Sequence, residues 1–203
     1  MPTTFWVRAL LVGVLTLGSP LAWAQAPPAA QQGFGLSAAD LALTFTTERN
    51  HVTPSTSGGF WLHGGSLDGG MVFFHGLGAA ANMTIERAGG IAPGVSLSKV
   101  SIMAGPRYTL RLGAKHENRL FIESLFGGAF ALNSVFPTST GITTNADSFS
   151  LQIGGGWDLA IAKNVAIRVL EADYVRTDLP NNGTNTQDYL RLAFGVSYHF
   201  QRH

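Results

Sequence analysis

The sequence contains no cysteine. That excludes disulfide-stapled scaffolds, cysteine-ligated zinc and iron–sulfur sites, thiol nucleophiles and a lipidated N-terminal cysteine. Charge is also scarce: 12% of the 203 residues are Asp, Glu, Lys or Arg, about half the ~25% usual in a soluble domain. The signs nearly balance, 13 basic against 12 acidic, and no basic run or charged tail breaks the balance, so nucleic acid is not an expected partner. From Leu36 onward there is no run of 18 apolar residues and no sustained i, i+3, i+4, i+7 pattern. Neither a helical bundle nor a helical membrane protein fits. What the chain has in plenty is glycine, 25 residues, and with so little charge that suits a protein whose exterior is not wet.

The length gives one domain with a short appendage. Residues 1–24 have the order of an export signal: Arg8 supplies a positive charge, Ala9 to Leu17 is apolar or small, Gly18-Ser19-Pro20 breaks the run, and Ala22-Trp23-Ala24 offers small residues to a signal peptidase. The apolar run is too short to cross a bilayer, which needs about 20 residues. Cleavage is expected between Ala24 and Gln25, and losing Arg8 leaves 12 residues of each sign. Residues 25–39 then read as a flexible leader, since Gln25 to Gln32 has two prolines and no apolar face.

Residues 40–203 carry a different signal, alternation with period two. Leu190, Leu192, Phe194, Val196, Tyr198 and Phe200 share one face of a strand; Arg191, Ala193, Gly195, Ser197 and His199 share the other. The same alternation predicts eight strands, at 40–49, 60–74, 77–86, 97–111, 118–132, 147–160, 165–176 and 186–200. Links near His75, at 113–117 and at 162–164 are short; those at 50–59, 87–96, 135–146 and 177–185 are longer and rich in Thr, Ser, Asn, Gly and Pro. An even strand number with alternating short and long links predicts an all-β fold: an eight-stranded antiparallel up-and-down transmembrane β-barrel. A soluble barrel of lipocalin type turns its apolar face inward and needs a charged exterior. Here the second face is mostly Gly, Ala and Ser, suited to a narrow interior. The large residues lie opposite, and Trp61, Phe73, Tyr108, Trp157, Tyr174, Tyr189, Tyr198 and Phe200 fall toward strand ends as an expected aromatic girdle.

The runs Gly105-Pro106-Arg107-Tyr108, Leu125-Phe126-Gly127-Gly128-Ala129, Gly154-Gly155-Gly156-Trp157-Asp158, Ala166-Ile167-Arg168 with Ala172-Asp173-Tyr174, and Leu190-Arg191-Leu192-Ala193-Phe194-Gly195 resemble small bacterial outer-membrane β-barrel domains of the outer membrane protein A type. The resemblance covers about residues 40 to 200. It implies an outer-membrane location, contact with membrane lipid and lipopolysaccharide, and recognition of a C-terminal strand ending at Phe200 by the barrel-insertion machinery. Gln201-Arg202-His203 follow that aromatic, a departure from the family's terminal pattern. A monomer is expected.

The inward charges can be paired by counting across turns. A turn centred on Lys163 sets Asp158 opposite Arg168, one near Lys115 sets Arg107 opposite Glu123, and a loop centred on Asn182 sets Asp173 opposite Arg191. Parity turns all six inward if a bulge near Val169–Leu170 shifts the strand's phase. The expectation is a lumen network of Arg107, Glu123, Asp158, Arg168, Glu171, Asp173 and Arg191, since isolated ions in so narrow a barrel are costly.

Three functions remain: a structural or surface-interaction protein with no chemistry, a gated passage for small solutes, and a barrel-type lipid-modifying hydrolase. Eight strands leave an interior only wide enough for side chains, which argues against a permanent pore. For catalysis, His63, His75 and His199 are the candidate bases, with Ser66 and Ser197 near in sequence, yet no orienting carboxylate has a telling spacing. No paired histidine spacing marks a metal site. Gly64-Gly65 and Gly154-Gly155-Gly156 precede no helix and are not phosphate loops, so no cofactor is expected.

Overall fold

The computed structural model describes residues 38–50, 60–92, 95–113, 118–138, 141–180 and 185–201. The expected signal peptide at 1–24 and nearly all of the leader lie outside these residues. Among the described residues ten strands form: β1 (Ala38–Asn50), β2 (Trp61–Phe74), β3 (Leu77–Ala92), β4 (Val95–Leu112), β5 (Asn118–Leu132), β6 (Phe136–Thr138), β7 (Gly141–Thr143), β8 (Ala146–Ala160), β9 (Val165–Thr177) and β10 (Gln187–Gln201). Eight close into an antiparallel barrel in the order β1-β2-β3-β4-β5-β8-β9-β10, with β10 pairing back onto β1. Closure leaves no sheet edge with unpaired amides, the condition for a sheet in hydrocarbon.

Alternation decides which way each strand faces. Leu43 is 69% exposed and Ile122 62%, while Arg168 is 0% and Arg191 1% exposed. The barrel is thus apolar outside and charged inside, the reverse of a water-soluble one. Its strands run 13 to 18 residues, longer than the ~9–11 needed to cross a bilayer, so their ends project beyond the hydrocarbon.

Between β2 and β3 the chain reverses in two residues, His75 (φ 46°) and Gly76 (φ 90°), with Phe74 opposite Leu77. Positive φ at both central positions is the turn that matches strand twist. Along β9 the register against β8 moves from Trp157↔Leu170 to Asp158↔Arg168, so one residue is bulged. Val169 and Leu170 both face outward, 43% and 51% exposed, while Arg168 and Glu171 both face inward. The bulge lets one strand carry both charges into the lumen.

Three segments differ from expectation. Residues 87–96, read as a loop, instead lengthen β3 to Ala92 and start β4 at Val95, with a register shift between Ala88 and Ala92. Gly89, Gly90 and Pro93 mask the alternation there, although Ala88 and Leu97 are buried by their ladder positions. Residues 135–146, also read as loop, hold the small β6–β7 hairpin. Ala38 and Ala39, assigned to the leader, already pair with Gln201 and Phe200 in the closing seam.

Candidate functional site

Inward positions on all eight barrel strands converge on two tiers of charge. Nearer the loop end, Lys99 on β4 donates to Glu48 on β1 and lies 3.2 Å from Glu86 on β3. Its Nζ stands 4.6 Å from the ring centroid of Tyr189, a cation–π contact between two buried side chains. Beside it, Arg191 on β10 donates to Asp173 Oδ2 from Nη2 (2.9 Å) and Nε (3.2 Å), and from Nη1 to Thr84 Oγ1 (3.0 Å).

Nearer the turn end, Arg107 donates from Nη2 to both oxygens of Asp68 (2.7 and 2.8 Å), from Nε to Glu123 Oε2 (2.7 Å) and from Nη1 to Asp40 (3.2 Å). Arg168 donates from Nε to Asp158 (2.9 Å) and from Nη1 to Glu171 Oε2 (2.8 Å) and Asp68 (3.3 Å). Asp68 therefore joins the two arginines. The Phe121 ring lies 4.5 Å from each guanidinium carbon, holding two like charges to a shared π face. Buried ions persist only when their hydrogen-bonding capacity is met, and arginine's planar fork meets it from several carboxylates at once.

The ladder sets Asp158 opposite Arg168, Arg107 opposite Glu123 and Arg191 opposite Asp173. All seven residues named from the sequence are buried on the inner face. Counting across turns missed Asp40, Glu48, Asp68, Glu86, Lys99 and Arg119. Glu86 and Lys99 are a directly opposed pair, reachable by the same counting had 87–96 been read as strand. Asp68 meets Arg107 and Arg168 across the lumen, where hairpin arithmetic has no purchase.

At the loop end lies a buried apolar cluster of Leu62, Ala88, Leu97, Ala131, Phe136 and Leu179. Phe136 comes from the β6–β7 hairpin and Leu179 from the β9–β10 connection. The Gln187 amide clamps the Leu179 backbone, accepting from its N–H (3.0 Å) and donating to its carbonyl (2.6 Å).

On the outer surface Trp61, Tyr108, Trp157, Tyr174, Tyr198 and Phe200 are 39–50% exposed, and Phe73 is half-buried. Tyr189, expected among them, is 5% exposed and faces the lumen. It lies two residues from Arg191 and so shares the inward parity. Near the loop end, Arg49 stacks over Trp61 (5.6 Å), and exposed Arg87 pairs in register with His63.

Among the described residues the histidines assemble no catalytic relay. His63 stacks outward between Trp61 and Phe45, and His75 occupies the β2–β3 turn. His199 Nε2 lies 3.1 Å from Ser197 Oγ and 3.9 Å from Asp158 Oδ2. Both partners thus address one nitrogen, whereas a relay needs the acid on Nδ1 and the nucleophile on Nε2. Asp158 is moreover held by Arg168, and Ser66 bonds to Thr44 (2.6 Å). A different grouping has ligand chemistry: Glu123, Glu171 and Asp173 each offer a carboxylate oxygen within 4.8 Å of the others. They sit on strands flanking β8, so spacing along the sequence does not reveal them.

An eight-stranded barrel with an apolar exterior, aromatic residues toward its strand ends and a charged lumen defines a transmembrane β-barrel. The chain belongs to the outer membrane protein β-barrel domain family, whose model matches residues 10–200. It is accordingly an outer-membrane protein, its short turns on the periplasmic side and its loops outward. Among solved structures it is similar to Neisserial surface protein A, with 17% identity over 80% of this chain and 97% of that one, TM-score 0.56. It is also similar to Ail, the attachment invasion locus protein of Yersinia pestis, in complex with the heparin analogue sucrose octasulfate (16% identity, 80% and 98% coverage, TM-score 0.54). No curated protein sequence matches.

Proposed function

We propose that this protein is a plugged outer-membrane barrel with a structural or surface-interaction role and no chemistry of its own. The observation that carries this reading is the filling of the lumen: two tiers of arginine and lysine held by carboxylates, beneath a buried apolar cluster at the outward end. Continuous passage of solute through such an interior requires breaking several buried ion pairs together, each costly once one partner is lost.

Interaction then belongs to the outward end. The β6–β7 hairpin carries Ile142, 76% exposed. Arg49 and Arg87, outward beside Trp61, suit the phosphates of lipopolysaccharide at the outer leaflet. Phe200, outward on β10 at the periplasmic end, suits a terminal aromatic read by the insertion machinery. The barrel is complete as a monomer, since its own β1 and β10 close it.

The test is single-channel recording in a planar bilayer of the wild type, Arg107→Ala and Glu123→Ala. A silent wild type that migrates as a heat-modifiable barrel is expected. Discrete steps in the wild type that change in either variant would overturn the plug and make a gated small-solute channel the function.

A further inference from the structure

We propose that the lumen binds a hard divalent cation, calcium by size, between Glu123, Glu171, Asp173 and the side-chain carbonyl of Gln152. The three carboxylates share one habit. Each gives one oxygen to an arginine: Glu123 Oε2 to Arg107, Glu171 Oε2 to Arg168 and Asp173 Oδ2 to Arg191. The other oxygens of Glu171 and Asp173, Oε1 and Oδ1, have no hydrogen-bond partner among the described residues. Arg191 Nη2 stands 3.9 Å from Glu171 Oε1, beyond hydrogen-bond reach.

Gln152 is the independent observation. It is fully buried, and its Nε2 donates to Glu123 Oε1 at 3.1 Å, which fixes its amide at the cluster. The carbonyl oxygen of that amide has no hydrogen-bond partner among the described residues. A buried neutral acceptor and two buried carboxylate oxygens, all unpartnered, call for a positive species rather than another acceptor. Backbone geometry brings the acids in close to the strand between them. On β8 the positions facing these acids are glycines, Gly154 opposite both Glu123 and Asp173, and Gly156 opposite Glu171. A Cβ on Gly154 would strike Asp173 Oδ1, so that oxygen lies over the bare α-carbon.

Size and charge agree. Calcium takes oxygen ligands at about 2.3–2.6 Å, so opposed ligands stand about 5 Å apart, and the 4.8 Å limit on the carboxylate separations spans such an ion. Carboxylates outnumber fixed cations in the lumen: Glu48, Asp68, Glu86, Glu123, Asp158, Glu171 and Asp173 are buried, with Asp40 beside them on Arg107, against Lys99, Arg107, Arg119, Arg168 and Arg191. A divalent cation offsets that excess of negative charge. The site is independent of whether the barrel conducts.

The experiment refolds the full chain into lipopolysaccharide-free detergent micelles with CaCl2 or with EDTA, then measures bound calcium by equilibrium dialysis and Tm by tryptophan emission. The expected result is one calcium per folded chain and a higher Tm than in EDTA. Asp173→Asn and Glu171→Gln should lose both effects, while Glu48→Gln, in the neighbouring tier, should keep them. Where the acidic variants fail to fold, Gln152→Met changes no charge and should weaken binding about tenfold or more. A folded wild type with no saturable calcium would overturn the site and leave protons as the neutralising species. Affinity unchanged in Gln152→Met, or in both acidic variants, would overturn it as well.

Discussion

Arg168 offers the sharpest test of how the lumen is held. Its fully buried guanidinium reaches Asp158, Glu171 and Asp68 at 2.8 to 3.3 Å. Arg168→Met keeps the stem and deletes the charge, leaving Asp158 without both of its guanidinium bonds while Asp68 retains Arg107. Removing one member of a buried ion pair costs about 3–5 kcal/mol, and the upper end is expected because three carboxylates lose a partner. Asp158→Leu should cost about 3 kcal/mol, since Arg168 keeps Glu171 and Asp68. The double variant removes both charges of the pair, so its cost should fall short of the sum by at least about 2 kcal/mol. Urea unfolding from phosphatidylcholine vesicles, followed by tryptophan emission and by the gel shift of the unheated barrel, measures all four corners. A double variant additive to within about 0.5 kcal/mol would refute the coupling and with it the account of a mutually neutralised lumen.

Gly154→Ala places a methyl against Asp173 Oδ1 and the Ala172 carbonyl and should lower stability by about 1–3 kcal/mol; Gly89→Ala, which meets nothing within 4 Å, should stay within about 0.5 kcal/mol in the same urea assay. Phe136→Ala, removing a buried ring from the outward cluster, should speed protease cleavage in the 133–145 connection while the barrel's heat-modifiability persists; unchanged cleavage would mean the cluster does not hold that connection. Tyr189→Ala should cost about 3–5 kcal/mol beyond Tyr189→Phe, because it removes a buried ring together with its contact to Lys99 Nζ; equal losses would assign the effect to the hydroxyl.

The architecture was legible in the sequence because period-two alternation is a local signal repeated in every strand, and because inside-out polarity shows in which face is large and which is small. Pairs such as Arg107 with Glu123 were legible for the same reason: a short turn converts sequence position into register. Legibility stopped at three places. Glycine and proline in 87–96 hid the continuation of β3 and β4, and with it the Glu86–Lys99 pair. Contacts across the lumen, such as Asp68 with Arg168, depend on barrel curvature rather than on any one hairpin. Tyr189 was assigned by residue type to the surface although its parity already placed it inside. The carboxylate cluster around Gly154 needed three strands at once, and no motif along the chain encodes it.

The ion pairs that cross the lumen join residues far apart in the chain, from 39 positions for Asp68 and Arg107 to 100 for Asp68 and Arg168. None of these partners sits on neighbouring strands, so an open sheet missing its last strands would present bare charges to lipid. Each hairpin that reaches hydrocarbon early carries that electrostatic cost until β10 meets β1. Contacts of such long separation also make closure slow compared with hairpin formation. Pairing of β10 with β1 is thus the step that encloses these charges, and closure of the sheet and neutralisation of the lumen come together.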